Sequence, residues 1–400
     1  MIDQKETYQQ ETKRPNVMRR AFARMEGRKF LETERTGPWV VAIIPAHNEA
    51  DSISITVRSL LSQSRPPDLI VVAADNCSDG TVAQVEAFSE LNVLVFETVD
   101  NKYRKVGALT QAWKGYCQDA DYVLGVDADT RLETPCIEQL LAEMEDNPYL
   151  GGLMARYTFD NSHAHTIFAR LLVRMQRMEF AGWTMDILRR DRRTYVLGGQ
   201  ATLFRRDALA DVQAKAQRDS PWSTTAQVED MELTWKLDEY GWETRCSAEA
   251  RAYVGPMVTM KSFWAQRRKW DAGVVEILLA NGFSKVTRYP WRIQAKMVLD
   301  LVIRVLLITL LTLALFRDSF VWSWIWLIPP IIAIFLNLRI VWSMPNRTVG
   351  DILTAIILFP AEMYLWFRLG TWTISWITTM SGSKRDGWAA QYKAEGKPTS

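Results

Sequence analysis

The chain has 400 residues, of which 48% are hydrophobic and 24% are charged, as in an ordinary folded protein. Its formal net charge of +2 gives no reason to expect a nucleic-acid partner. These averages conceal an asymmetry, because residues 297–380 are rich in Leu, Ile, Phe and Trp, and eight of the 17 tryptophans lie between Trp291 and Trp376. Tryptophan collects where a membrane meets water. The composition therefore predicts a soluble part followed by a membrane region.

The N-terminal segment, residues 1–37, is basic. Residues 13–29 contain seven Lys or Arg side chains and one acid, and Met18 and Phe22 recur at helical spacing. This pattern predicts a basic amphipathic arm that lies on anionic lipid. The alternatives are a helical arm packed on the next domain and a partly disordered tail. The segment has no hydrophobic stretch long enough for a signal peptide.

Residues 38–256 alternate short apolar strands with amphipathic helices. Short apolar runs are expected when helices cover both faces of a sheet. The predicted strands are residues 40–44, 69–73, 93–96 and 121–126. This alternation predicts an α/β fold with an open, mostly parallel sheet and helices on both faces.

Polar residues follow three of these strands. They are His47-Asn48-Glu49, Asp75-Asn76 and Asp127-Ala128-Asp129. Ligands of open parallel sheets bind at the carboxyl ends of the strands. The pattern therefore predicts a ligand site at this edge of the sheet.

Four further elements follow in chain order. We predict a helix over 166–190, a strand over 195–204 that contains Gly198-Gly199, an acidic helix over 228–240 and a helix over 258–279 with a basic centre. The last helix lies in a segment, 257–296, that we expect at the membrane interface. Residues 381–400 are predicted to be a polar tail.

Residues 297–380 lie between the interfacial segment and the polar tail. They contain three apolar segments, at about 297–316, 321–343 and 352–379. A membrane span needs about 20 apolar residues. Charged residues and prolines interrupt the segments, and both are costly in hydrocarbon, so the segments are expected to pack on each other or on a polar cavity. We predict that the third is a span followed by an interfacial helix. The alternative is the core of a soluble helical domain.

The four cysteines, Cys77, Cys117, Cys136 and Cys246, form no CxxC pair. Scattered single thiols fit a reducing compartment. We therefore expect a multi-pass protein of the cell membrane whose soluble part faces the cytoplasm.

The Asp127-Ala128-Asp129 triplet predicts a metal site. Two carboxylates at a strand end supply the oxygen ligands that a hard divalent cation prefers. Such a cation can neutralise charge on a leaving diphosphate. The alternative is a surface turn, since such triplets are common.

The chain resembles the family 2 glycosyltransferases, and in particular the processive membrane synthases of hyaluronan, chitin oligosaccharide, poly-N-acetylglucosamine and cellulose. Six motifs, in the family's order over about 40–270, carry the resemblance: 43–49 (IIPAHNE), 75–81 (DNCSDGT), 105–109 (KVGAL), 126–130 (VDADT), Glu229-Asp230, and 266–270 (QRRKW). The resemblance implies a GT-A-like fold over 38–256 and a hexosyltransferase activity.

The resemblance also implies a nucleotide-sugar site with a UDP-sugar as the expected donor. The implied nucleotide-sugar contacts are Pro45, His47, Glu49, Asp75, Lys105 and Asp127. Asp127 and Asp129 would hold Mg²⁺ or Mn²⁺.

Asp230 would be the general base, with Glu229 beside it. A sugar hydroxyl is a poor nucleophile until a positioned carboxylate takes its proton, and the neighbouring Glu229 would raise the pKa of that base. Without the resemblance, the pair would be read as an acidic helix N-terminus.

The resemblance places further residues on the acceptor and diphosphate side: Gly199, Gln266, Arg267, Lys269 and Trp270. The alternative for the last four is a basic helix at the lipid surface. Lys269 stands where the synthases usually have Arg, which puts the strength of diphosphate binding in doubt because Lys lacks the bidentate fork. Thr110 replaces an Asn found in many members, and residues 1–37 lack the membrane span that several synthases have.

The sequence thus predicts a membrane-bound, inverting, metal-assisted glycosyltransferase that extends a glycan. The alternatives are a single transfer to a polyprenyl-linked or other membrane-presented acceptor, and a non-catalytic membrane scaffold.

Overall fold

The computed structural model describes residues 37–89, 91–159, 164–382 and 386–396. The predicted N-terminal arm, apart from Gly37, lies outside these residues. The strands are β1 Val40–Ala46, β2 Leu69–Ala74, β3 Val93–Glu97, β4 Tyr122–Gly125, β5 Arg131–Leu132, β6 Leu150–Phe159, β7 Thr202–Arg205 and β8 Glu243–Val254. The helices are α1 Ile53–Leu61, α2 Thr81–Glu86, α3 Arg104–Tyr116, α4 Cys136–Asp146, α5 Ile167–Arg189, α6 Arg206–Lys215, α7 Glu229–Glu239, α8 Met260–Asn281, α9 Arg288–Phe316, α10 Ile328–Ser343, α11 Val349–Ile356, α12 Leu358–Met380 and α13 Gly387–Glu395, with a 3-10 turn at Trp324–Leu327.

The eight strands form one sheet in the order β3-β2-β1-β4-β7-β6-β8-β5. Strands β3, β2, β1 and β4 are parallel, β6 is parallel to β8, and β7 and β5 pair antiparallel to their neighbours. The predicted α/β fold with helices on both faces is confirmed, and its sheet is mixed. The parallel half brings the ends of β1, β2 and β4 to one edge.

Helices cover both faces because side chains alternate along each strand. Ile44 of β1 packs in the same cluster as Ile53 of α1 and Leu140 of α4. Its neighbour Ile43 packs on the opposite face with Trp113 of α3. All five of Val40 to Ile44 are fully buried, which explains their continuous apolar sequence.

The strand predicted over 195–204 is limited to Thr202–Arg205. The backbone amide of Leu197 donates to the Thr234 hydroxyl of α7 rather than to a neighbouring strand. Residues 198–201 turn instead towards the edge of the sheet where the polar clusters lie.

The apolar tail contains two helices, Arg288–Phe316 and Trp324–Ser343, that are long and apolar enough to cross a membrane. Their large apolar side chains are exposed, including Leu306 (54%) and Phe335 (65%). Exposure of this kind suits a lipid surface and not the core of a soluble domain.

The third apolar segment is bent by 76° between α11 and α12. The short helix α11 comes first and the long helix α12 second, and the predicted span with a following interfacial helix stays a prediction. Pro360 lies in the first turn of α12 and has no N–H to donate to the carbonyl of Ile356, so α11 and α12 cannot form one unbroken helix.

Candidate active site

A cavity of about 480 Å³ lies between the strand ends and helices α8, α9, α12 and α13. The implied site residues that line it are Pro45, His47, Glu49, Asp75, Lys105, Asp127, Asp129, Glu229, Asp230, Gln266, Lys269 and Trp270. Motifs spread over more than 200 positions of the chain therefore open into one space.

Lys105 joins the two acidic clusters. Its Nζ lies 2.8 Å from Oδ1 of Asp127 and 3.3 Å from Oε1 of Glu229. Asp230 follows Glu229 in the first turn of α7, and its Oδ1 accepts a hydrogen bond of 2.8 Å from the amide of Met231. One cation thus holds together carboxylates from the end of β4 and the start of α7.

The cluster shifts the pKa of its members. Burial is the main reason that the pKa of Asp230 rises to about 7, and the negative charge of Glu229 adds to the rise while Lys105 opposes it. The pKa of Lys105 is raised, because Asp127 and Glu229 outweigh the effect of its burial. Asp230 therefore has the pKa of a useful base near neutral pH.

Gly199 lets the backbone approach this cluster closely. A Cβ at this position would lie 2.7 Å from Nζ of Lys105 and 2.8 Å from Oδ1 of Asp127. Contacts this short cannot be accommodated without moving the ion pair. The residue was predicted to line the acceptor side, and the structure places it against the charged cluster.

Asp129 also lines the cavity, next to the C-terminal end of β8. A Cβ on Gly255 would come within 2.6 Å of its Oδ2. Within the described ranges, no group of three or more His, Cys, Asp or Glu side chains is arranged to hold a metal by itself. Magnesium is often held by only one or two carboxylates together with substrate phosphates. The two carboxylates Asp127 and Asp129, which both line the cavity, could hold a cation of that kind.

The far end of the cavity is formed by the loops after β1 and β2. The carboxylate Oδ1 of Asp75 is held by Thr98 and Asn101, both at 2.7 Å. The backbone carbonyl of Asp75 is 2.7 Å from Nδ1 of His47. Asn48 and Asn76 have φ of 54° and 47°, which turns each loop sharply at its strand end. This end is polar, and hydrogen bonds link its loops.

Helix α13 covers the polar end, which the sequence did not predict, since residues 381–400 were expected to be a polar tail. The Tyr392 ring is centred 4.8 Å from the His47 ring, and Nζ of Lys269 lies 3.2 Å from the Trp388 ring centre. Asp386, at the start of the helix, pairs with Arg104 through two contacts of 2.6 Å. The aromatic and acidic residues in the tail sequence were the only signal from which this covering helix could have been predicted.

The 266–270 motif divides into two sets of residues. Gln266, Lys269 and Trp270 line the cavity. Arg267 is 0% exposed and donates to Glu179 of α5 at 2.7 Å, so its placement does not agree with the predicted diphosphate contact. Residues at i and i+2 on a helix face different directions, so Arg267 and Lys269 cannot both point into the cavity.

Lys269 is the cation of the motif that faces the cavity. Its pKa is lowered to about 8, mainly by burial, although the charge of Glu229 opposes the shift. The contact with a diphosphate that the resemblance implies stays a prediction for Lys269.

Opposite the polar end, the cavity is lined by apolar side chains of the tail. Ile293 and Met297 come from α9 and Trp372 from α12. Gln294 fixes this wall, since its Oε1 accepts hydrogen bonds from the indoles of Trp372 and Trp376 at 2.7 and 3.0 Å. The apolar tail therefore forms part of the site.

Comparison with known proteins agrees with this geometry. Residues 41–213 match the family described as "Glycosyl transferase family 2". Poly-beta-1,6-N-acetyl-D-glucosamine synthase of Staphylococcus aureus (strain MSSA476) is 26% identical over 256 residues, which are 63% of this chain and 58% of that protein. The protein of the same name from Staphylococcus epidermidis is 25% identical over 61% of this chain and 56% of its own length. The match thus spans under two thirds of these relatives.

A solved structure shares the fold. It is a mannosyltransferase from Pyrobaculum calidifontis in complex with GDP-Man and Mn²⁺, and it superposes with a TM-score of 0.51. The superposition covers 87% of this chain and 88% of that chain, at 14% sequence identity. At this identity the likeness concerns the fold.

Proposed function

We propose that this chain is a membrane-bound inverting glycosyltransferase that transfers a sugar from a nucleotide diphosphate sugar to a growing glycan. The match of residues 41–213 to the glycosyl transferase family 2 model supports the proposal. One observation carries the proposal: the Lys105-linked carboxylates and the Trp270 ring line the same cavity. A scaffold without activity would not be expected to retain a charged cluster of this kind.

In the proposed reaction, Asp230 accepts the proton of an acceptor hydroxyl as the hydroxyl oxygen bonds to the anomeric carbon of the donor. The bond from that carbon to the diphosphate oxygen breaks, and the diphosphate leaves with the electron pair. A single displacement of this kind inverts the anomeric centre. The environment of Asp230 supports this role. Its burial raises its pKa to about 7, and a carboxylate with that pKa suits proton transfer at neutral pH.

The donor would lie with its base near Asp75 and its diphosphate between Asp127 and Lys269. Uridine diphosphate is the proposed carrier. Asp127 and Asp129 would hold Mg²⁺ or Mn²⁺, which supplies charge neutralisation for the leaving diphosphate. Lys269 supports the phosphate end of this arrangement, since it is the cation of α8 that lines the cavity.

The acceptor would approach from the opposite side, across Trp270 and towards the tail. We propose that the tail helices lie in the cell membrane, which their length and exposed apolar side chains support. The catalytic domain would face the cytoplasm, where free thiols such as Cys117 and Cys246 remain reduced.

A second candidate is a single transfer to a polyprenyl-linked acceptor. The apolar wall formed by Ile293, Met297 and Trp372 favours it, since a lipid-bearing substrate can reach the site along that side. Both candidates share the same donor site and the same base.

Labelled nucleotide sugars test the proposal with the purified full chain. A ladder of products supports glycan extension, one lipid-extractable product supports the second candidate, and no product from any uridine or guanosine diphosphate sugar overturns both. Asp230→Asn should abolish transfer. Asp238→Asn, on the exposed end of the same helix, is the matched control and should leave transfer unchanged.

A further inference from the structure

Glu179, in the middle of α5, belongs to no motif of the sequence but holds three side chains of two other helices. Its Oε2 accepts hydrogen bonds from Arg267 of α8 at 2.7 Å and from the Tyr364 hydroxyl of α12 at 2.6 Å. Its Oε1 accepts from Nε of Arg368, also of α12, at 3.0 Å. One carboxylate therefore joins the catalytic domain to the helix that follows the bend.

The carboxylate is ionised at any physiological pH. Burial alone would raise the pKa of Glu179, but the guanidinium groups of Arg267 and Arg368 outweigh it and lower the pKa to about 2. Both guanidinium groups thus have a permanent negative partner.

Arg267 transmits this contact to Trp270. Its guanidinium carbon lies 4.4 Å from the centre of the Trp270 ring and 4.7 Å from that of Phe263. A fully buried guanidinium that loses its counterion is strongly unfavourable, so it would move towards water and leave the Trp270 ring unsupported.

A second contact fixes the residue that follows Trp270 in the chain. Arg368 makes two contacts with Asp271, the next residue in the chain, at 3.1 and 3.3 Å. Tyr364 and Arg368 are four positions apart and therefore lie on one face of α12. Glu179, Asp271 and Arg368 also form part of the cavity wall.

We propose that Glu179 is a positioning residue, which fixes the Trp270 ring at the acceptor end of the cavity by holding Arg267 and α12 together. This inference rests on the proposed function. It makes the tail helix α12 part of the acceptor site, because Tyr364 and Arg368 complete the contacts of Glu179. Donor binding, at the Asp75 end of the cavity, does not depend on these contacts.

Glu179→Gln tests the inference, since it keeps the size of the side chain and removes its charge. We expect the KM for the acceptor to rise about tenfold while the KM for the nucleotide sugar changes by less than about twofold. Glu179→Asp, which keeps the charge, should recover part of the loss. Glu145→Gln, on the exposed face of α4, is the matched control and should change neither constant.

A double-mutant cycle with Trp270→Ala separates positioning from general destabilisation. If Glu179 acts through Trp270, the double variant has the same acceptor KM as Trp270→Ala alone. Additive effects, or a parallel rise in the KM of the nucleotide sugar, would overturn the inference. If Glu179→Gln does not fold, Tyr364→Phe removes one hydrogen bond of the carboxylate and enters the same cycle.

The two hypotheses fail in different ways. A wild-type protein that transfers no sugar from any nucleotide sugar contradicts the proposed function. A wild-type protein that transfers sugar while the cycle is additive contradicts only the role of Glu179.

Discussion

Nζ of Lys105 lies 3.3 Å from a carboxylate oxygen of Glu229, which brings the start of α7 to the start of α3. The same ammonium group contacts Asp127, so Asp230, the proposed base, lies beside a cluster of charged side chains. In a partly buried site such charges act more strongly than in water. The pH dependence and the steric limits of the reaction should follow from this contact.

Activity should fall on the acid side of pH 7, because Asp230 has a pKa of about 7 and must be deprotonated to accept a proton. Below that pH, kcat/KM should drop about tenfold for each pH unit, as the fraction of ionised base falls. This fall forms the acid limb of the pH profile. Since Glu229 raises the pKa of Asp230, Glu229→Gln should move the acid limb to lower pH. A profile of kcat/KM against pH measures it. Glu239→Gln, exposed on the same helix, should leave the limb in place; a limb that stays near pH 7 in Glu229→Gln would contradict the assignment.

If Lys269 contacts the diphosphate as proposed, activity should also fall on the alkaline side, because burial lowers the pKa of Lys269 to about 8 and its positive charge is lost above that pH. Lys269→Arg should retain activity above that pH, since a guanidinium stays protonated. The measurement is the same pH profile, with the exposed Lys114→Arg as control. An alkaline limb that persists in Lys269→Arg would assign it to another group.

Gly199→Ala should reduce kcat/KM by on the order of 100-fold, because its Cβ would displace Lys105 and Asp127 from their present positions. Gly115→Ala is the control: no heavy atom lies within 4 Å of its Cβ in α3. Because this position is exposed and helical, Gly115→Ala should raise the free energy of unfolding by up to about 1 kcal/mol. Steady-state kinetics and thermal unfolding of both variants distinguish a local steric effect from an intolerance of alanine in general. Full activity in Gly199→Ala would contradict the role of the close approach.

Removing the aromatic cover should weaken donor binding. Trp388→Ala removes the ring that lies over Lys269, and Tyr392→Ala removes the ring beside His47. We expect the Kd for the nucleotide diphosphate to rise on the order of tenfold in each, as measured by calorimetry. Lys393→Ala, exposed on the same helix, should have no effect. Tighter binding in either variant would show instead that α13 competes with the donor.

Local sequence predicted the parallel half of the sheet and the position of its polar edge. Continuous apolar runs such as 40–44 are diagnostic because each face of a covered strand needs apolar side chains. The carboxyl ends of parallel strands must meet at one edge, so the placement of Asp75 and Asp127 followed from topology. These inferences required only the pattern of residues that are close together in the sequence.

The division of the 266–270 motif could not be obtained in that way. Arg267 and Lys269 are two residues apart and carry the same charge, but one binds Glu179, 88 residues earlier, and the other faces the cavity. Which of the two is a buried structural cation depends on the orientation of α8 against α5 and α12. A short motif contains no information about that orientation.

The sequence by itself determined the α/β alternation, the apolar tail and the position of the polar edge of the sheet, because these depend on short-range periodicity and on residue type. Only the tertiary structure decided that α13 covers the polar end, that Gly199 lies against Lys105 and Asp127, and that Glu179 joins Arg267 to α12. Those features depend on contacts between segments far apart in the chain, and such contacts form only when the buried surfaces of the whole fold are packed together.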